Sequence, residues 1–200
     1  MGLVHICVVT LRPLELPTPQ PRVGALLVAA PLLTDPNFDR TVLLILEHDE
    51  SGSFAVVINR PSDTTIESVL PGWSASPVAD DVLYIGGPVA PDSALGVGRF
   101  DGRIPPPDSS RAVTVELGVV DLDDDARMQG LSSVRIFCGY AGWEEGQLDD
   151  EIAEGAWYVV DGNAADVFDG EPGTLWRRVL RRQPGDLAFV ATHSDDPALN

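Results

Sequence analysis

A largely apolar run, Val134 to Cys138, passes without a break into Gly139-Tyr140-Ala141-Gly142 and then into Trp143-Glu144-Glu145-Gly146-Gln147-Leu148. This junction restricts the fold more than any other stretch. An apolar run of that length reads as a buried strand. Gly139 and Gly142 are the residues that let a backbone turn where a Cβ is costly, so a tight turn is predicted there. A helical pattern is predicted from Trp143 onward. Leu148 and Ile152 are four apart and share a face. Glu144 and Glu145 suit a first turn, where the helix dipole favours negative charge, and Gly155 is a natural stop. Ala156 to Val160 then reads as the next strand.

Around this unit the chain reads as strands joined by short polar turns. Residues 23–30 and 41–47 read as buried strands, the second apolar without a break from Val42 to Leu46. His48 to Gly52 supplies a polar turn and residues 53–59 return, which is a hairpin pattern that Arg60 and Pro61 stop. A short helix is predicted over 64–70, with Ile66, Val69 and Leu70 on one side. Strands are predicted at 82–85, 94–100 and 112–117, with a proline-rich loop over 101–111. Residues 121–130 read as a short helix with an acidic N-terminus. Thr174 is a fair N-cap for a helix over 175–182, which puts Trp176, Val179 and Leu180 on one face and Arg177, Arg178, Arg181 and Arg182 on the other. A last short strand is predicted at 187–190. Strands outnumber helices and no internal repeat is present. The fold class expected is α+β, with a largely antiparallel or mixed sheet and a few helices packed against it.

Two hundred residues suit one domain with tails. Four prolines between Pro13 and Pro21 make an extended segment that cannot enter a helix or sheet interior. The expected division is a disordered extension over 1–21, one domain over 22–191 and a flexible tail over 192–200.

Charge narrows the function. The net charge is −18, from 31 acids against 13 bases, all of them arginine. Without lysine there is no P-loop lysine, Schiff-base lysine or lysine general base. The acidic balance opposes contact with phosphate backbones and argues against nucleic acid as a partner. Cys7 and Cys138 make neither a disulfide framework nor a CxxC pair, so a reduced, cytoplasmic setting is expected. No apolar run approaches the ~20 residues of a membrane span. Residues 1–11 are apolar but lack the cationic start and small-residue cleavage site of a signal peptide.

Several groups can be weighed for chemistry. Trp143, Gln147 and Glu151 fall at i, i+4 and i+8, a stripe able to line a pocket for a polar small molecule or simply to anchor the helix. Gly86 and Gly87 follow a strand and can offer N–H groups to an anion, or form a tight turn. Arg60, after Asn59, suits a bidentate anion or an internal acid. Glu47-His48-Asp49-Glu50 gathers an imidazole and three carboxylates, but on a hairpin turn and with no second histidine at metal spacing. The arginines of 177–182 are the one basic cluster. Cys138, inside an apolar strand, reads as an inert core thiol. No catalytic residue, metal site or cofactor motif is assigned, and there is no G-x-S-x-G elbow.

Four segments together carry a resemblance: GALLVAAPLLTDPNFDRTVLLILEHDESG at 24–52, INRP at 58–61, GGPV at 86–89 and GYAGWEEGQLDDEIAEGAW at 139–157. They resemble the AlgH/YqgE family of small bacterial proteins, over most of the chain. The resemblance implies a mixed sheet curled into a pseudo-barrel with helices outside, and the label of transcriptional regulator that many members carry without a demonstrated mechanism. The expected function is a binding or regulatory module that works through a protein or small-ligand partner. The alternatives are a small-molecule binder or enzyme with a pocket at Gly86, Gly87, Trp143, Gln147 and Glu151, and a DNA-binding regulator.

Overall fold

The computed structural model of the chain describes residues 20–73, 78–101, 110–123 and 130–193. Most of the proline-rich extension (1–19), most of the 101–111 loop, the greater part of the helix expected at 121–130 and the tail from 194 lie outside those residues.

Among the described residues ten strands form one sheet. Its main path runs β10 (Trp157–Val160), β1 (Leu26–Ala29), β2 (Val42–Asp49), β3 (Gly52–Val57), β9 (Leu131–Trp143), β6 (Val89–Phe100), β8 (Leu117–Val120) and β7 (Arg111–Ala112). β4 (Pro61–Thr65) pairs with β5 (Val82–Ile85), and β5 pairs with β9. Among the named strands of the described residues only the β5–β9 pairing is parallel, extended by an isolated parallel bridge between Val78 and Val134, so the sheet is mixed and largely antiparallel.

The sheet curls because its far end comes back over its middle. Arg111 on β7 forms an ion pair with Glu47 on β2. Thr114, just past β7, presses against the Cα of Gly24, just before β1. The result is a half-barrel whose central strands are covered on both faces. One face of β1, β2 and β3 contributes Leu26, Val28, Leu44, Val56 and Ile58 to a core shared with Trp176, Val179 and Leu180. The other contributes Leu27, Leu43, Ile45, Ala55 and Val57 to a second core shared with Leu148, Trp143 and Trp157. This two-sided burial is why residues 42–46 are apolar without alternation, and all five are buried.

Among the described residues five short helices pack outside: α1 (Ile66–Val69), α2 (Gln147–Ala153), α3 (Ala164–Val167), α4 (Pro172–Arg181) and α5 (Leu187–Val190). α4 buries Leu175, Trp176, Val179 and Leu180 as its periodicity demands. Its N-cap is Glu171 with proline in the first turn, not Thr174, whose hydroxyl instead donates to the Glu171 carbonyl. α3 starts with a full capping box between Asn163 and Asp166.

Four other expectations are corrected. Gly139 and Gly142 make no turn; β9 runs through both and ends at Trp143, and the helix starts only at Gln147. Gly139 instead serves a close approach of two backbones. A Cβ on Gly139 would stand 2.5 Å from the Gly87 carbonyl oxygen. The strand expected at 112–117 is a reversal between β7 and β8, tied by Thr114 Oγ1, which accepts from the N–H groups of Glu116 and Leu117. Pro61 does not stop the sheet but opens β4, where its missing N–H is tolerated at a strand's first residue. Residues 187–190 form a helix, packed against α4 rather than beside a strand. An apolar run of four does not distinguish the two by periodicity.

Candidate functional site

The sheet brings β9 and β10 together through α2, and one carboxylate is the joint. Glu151 Oε2 accepts from the indole N–H of Trp143 (2.9 Å) and of Trp157 (2.8 Å). Its Oε1 accepts from Gln147 Nε2 at 2.9 Å. Gln147 Oε1 in turn accepts the Glu144 backbone N–H at 3.1 Å. The two indoles meet edge to face, and Phe38 packs on both, at 6.5 Å from Trp143 and 5.4 Å from Trp157. Trp143, Gln147 and Glu151 therefore converge, although Trp143 sits on the strand and only the other two share the helix.

Asn59 and Arg60 lie beside this cage and hold the segment that carries Phe38. Asn59 Oδ1 accepts the Val42 N–H and its Nδ2 donates to the Arg40 carbonyl. Arg60 donates to the carbonyls of Pro36 (2.8 Å) and Asp39 (3.0 Å). It pairs with backbone oxygens, not with an acid. Gly86 and Gly87 lie elsewhere, where β5 meets β9. The Gly86 N–H donates to the Cys138 carbonyl, its own carbonyl accepts the Val57 N–H, and Gly87 abuts the Tyr140 backbone.

Three arginines of the basic cluster are engaged within the chain. Arg178 pairs with Asp169, Arg182 with both oxygens of Asp166, and Arg177 donates to the carbonyls of Ala191 and His193. In the 47–50 group, His48 Nδ1 and Ser53 Oγ are 2.8 Å apart across the hairpin and Glu47 is taken by Arg111. Asp49 accepts from Ser51, which holds its carboxyl below the usual range. Among the described residues no three His, Cys, Asp or Glu side chains gather as a metal site. Cys138 is half-buried and its thiol is pushed up, mainly by burial and then by Asp92.

One group escaped the sequence. Arg135, 2% exposed, sits inside the apolar run of β9. It pairs with Asp80, donates to the carbonyls of Val167 and Asp169, and lies 4.0 Å from the Tyr84 ring centre. Tyr84 completes the group by donating to Asp80 at 2.9 Å.

These features define an α+β half-barrel fastened by a tryptophan–carboxylate cage. The chain belongs to the AlgH-like family: the family model DUF179, described as AlgH-like, matches residues 26–188. It is 50% identical over 182 residues to a UPF0301 protein of Streptomyces avermitilis, with 88% of this chain and 94% of that protein covered. A UPF0301 protein of Mycobacterium avium is 40% identical over 194 residues, with 90% and 91% covered. Among solved structures it is similar to protein DIP2367 of Corynebacterium diphtheriae, with a TM-score of 0.82 at 34% identity over 88% of this chain and 94% of that one. It is also similar to the AlgH protein of Pseudomonas aeruginosa, with a TM-score of 0.64 at 29% identity over 86% and 94%.

Proposed function

We propose that the chain is a non-catalytic binding or regulatory module that works in the cytoplasm through a protein or small-ligand partner. The observation that carries this reading is the engagement of Glu151. Two indole N–H groups and one amide donate to its oxygens, which supports a joint rather than an acid or base facing a substrate. Asn59 and Arg60 support the reading, since both fasten backbone. Among the described residues no helix is long and apolar enough to cross a membrane.

The test is a panel of hydrolase and phosphatase substrates, run on the native chain and on Glu151→Gln. Equal, background-level signals are expected. Turnover that disappears in Glu151→Gln overturns the reading. A thermal-shift screen against metabolites then seeks the ligand, because a compound at a hundred times its Kd adds about 2.7 kcal/mol of stability.

A DNA-binding role has less support. Arg177, Arg178 and Arg182 spend donors on the chain's own oxygens, and 31 acids repel phosphate. A mobility-shift assay at low salt decides it. Binding abolished by Arg178→Glu with Arg181→Glu would restore that role.

A further inference from the structure

We propose that Ser53 is a reactive serine, activated by His48, that takes one acyl group per chain from an activated ester. This goes beyond the binding reading and needs no turnover. Its basis is the hairpin. His48 on β2 and Ser53 on β3 are partners in register, and Ser53 is also in register with Trp143 on β9. Cross-strand partners point to the same face, so the three side chains stand in a row on a rigid sheet. The Ser53 hydroxyl lies 2.8 Å from His48 Nδ1, the separation that a nucleophile and its base require. With the ring proton on Nε2, the hydroxyl donates to Nδ1.

His48 and Ser53 are each only part-buried, and Ser53 borders an open cavity of about 150 Å³, so an ester can approach the hydroxyl.

The step balances simply. Ser53 Oγ bonds to the acyl carbon as its proton passes to His48 Nδ1. The bond from the acyl carbon to the leaving oxygen breaks, and the leaving alcohol takes that proton from the imidazolium. The products are an O-acyl serine and a free alcohol, with His48 neutral again. Glu151, engaged in its cage, takes no part, so failure here leaves the binding reading untouched.

The full chain is incubated with p-nitrophenyl acetate near neutral pH. The expected result is a rapid release of about one equivalent of p-nitrophenol, with acetyl located on Ser53 by peptide mass spectrometry. Ser53→Ala removes the burst, and His48→Gln slows it about a hundredfold or more, the range of a lost general base. Acetyl found elsewhere but not on Ser53 in the native chain overturns the proposal, and that result depends on no variant folding. Acetylation of Ser53 at an unchanged rate in His48→Gln also overturns it.

Discussion

The indole rings of Trp143 and Trp157 meet edge to face at 5.9 Å, although three strands separate β9 from β10 in the sheet. Only strong curling brings such distant strands together, and the contact is held by the one oxygen of Glu151 that both N–H groups share.

Glu151→Leu should therefore loosen the half-barrel itself. It leaves two indole donors of nearly buried rings without an acceptor, and hydrogen bonds to a charged group are worth about 1.5–3 kcal/mol each. Accounting for partial exposure, a loss of about 2–4 kcal/mol is expected in urea unfolding. Glu151→Gln should cost less, since its amide oxygen can still accept from both rings. The tryptophan fluorescence of the folded state should shift in the leucine variant.

Arg135 makes a second prediction. Its guanidinium is buried against Asp80, and removing one partner of a buried pair strands the other charge. Asp80→Ala should cost about 2–4 kcal/mol, below the fully buried range because Asp80 is partly exposed. Arg135→Lys should not rescue the site, since an ammonium cannot reach Asp80 and the Val167 and Asp169 carbonyls from one planar fork.

The same cluster sets an alkaline limit. Burial, eased by Arg135 and reinforced by the hydrogen bond to Asp80, pushes the Tyr84 phenol from 10.0 up to about 12. A raised phenol keeps its proton in the folded chain after the unfolded chain has lost it. The stability this adds is fully present below pH 10 and is lost as pH rises toward 12. Tyr84→Phe should flatten stability in that window, measured by urea titrations at successive pH values.

The cores were legible in the sequence because β1, β2 and β3 are covered twice, which leaves uninterrupted apolar runs. α4 was legible because its apolar face has a clean period. The tryptophan cage was half legible: Gln147 and Glu151 do share a helix, but Trp143 reaches Glu151 from a strand, a convergence that the spacing imitates by coincidence. Arg135 was hidden for a different reason. Its partner Asp80 lies 55 residues away, and a single charge within an apolar run carries no mark of what neutralises it. Gly139 reads as part of a turn because local sequence does not show that another backbone, at Gly87, runs alongside.

Cys138 should be slow toward thiol reagents. Burial first, and Asp92 second, raise its thiol, so little thiolate is present near neutral pH. In a Cys7→Ser background, its alkylation by iodoacetamide should lag well behind that of glutathione and catch up only in urea. Labelling as fast as glutathione in the folded chain would show that the strand opens readily.

The last prediction separates two glycines by what surrounds them. Gly139 has φ of 68° and a Cβ there would stand 2.5 Å from the Gly87 oxygen, a backbone atom that cannot swing aside. Gly139→Ala combines left-handed strain with overpacking, each worth about 1–3 kcal/mol, and should cost roughly 3–5 kcal/mol. Gly173, in the first turn of α4, has an ordinary φ and nothing within 4 Å of the place an added methyl would take. Gly173→Ala should instead stabilise by about 0.5 kcal/mol, because it restricts the unfolded chain at no cost to the folded one. Thermal unfolding of the two variants beside the native chain should move in opposite directions. A tolerated alanine at 139 would mean that β9 and the Gly86–Gly87 segment are not in close backbone contact.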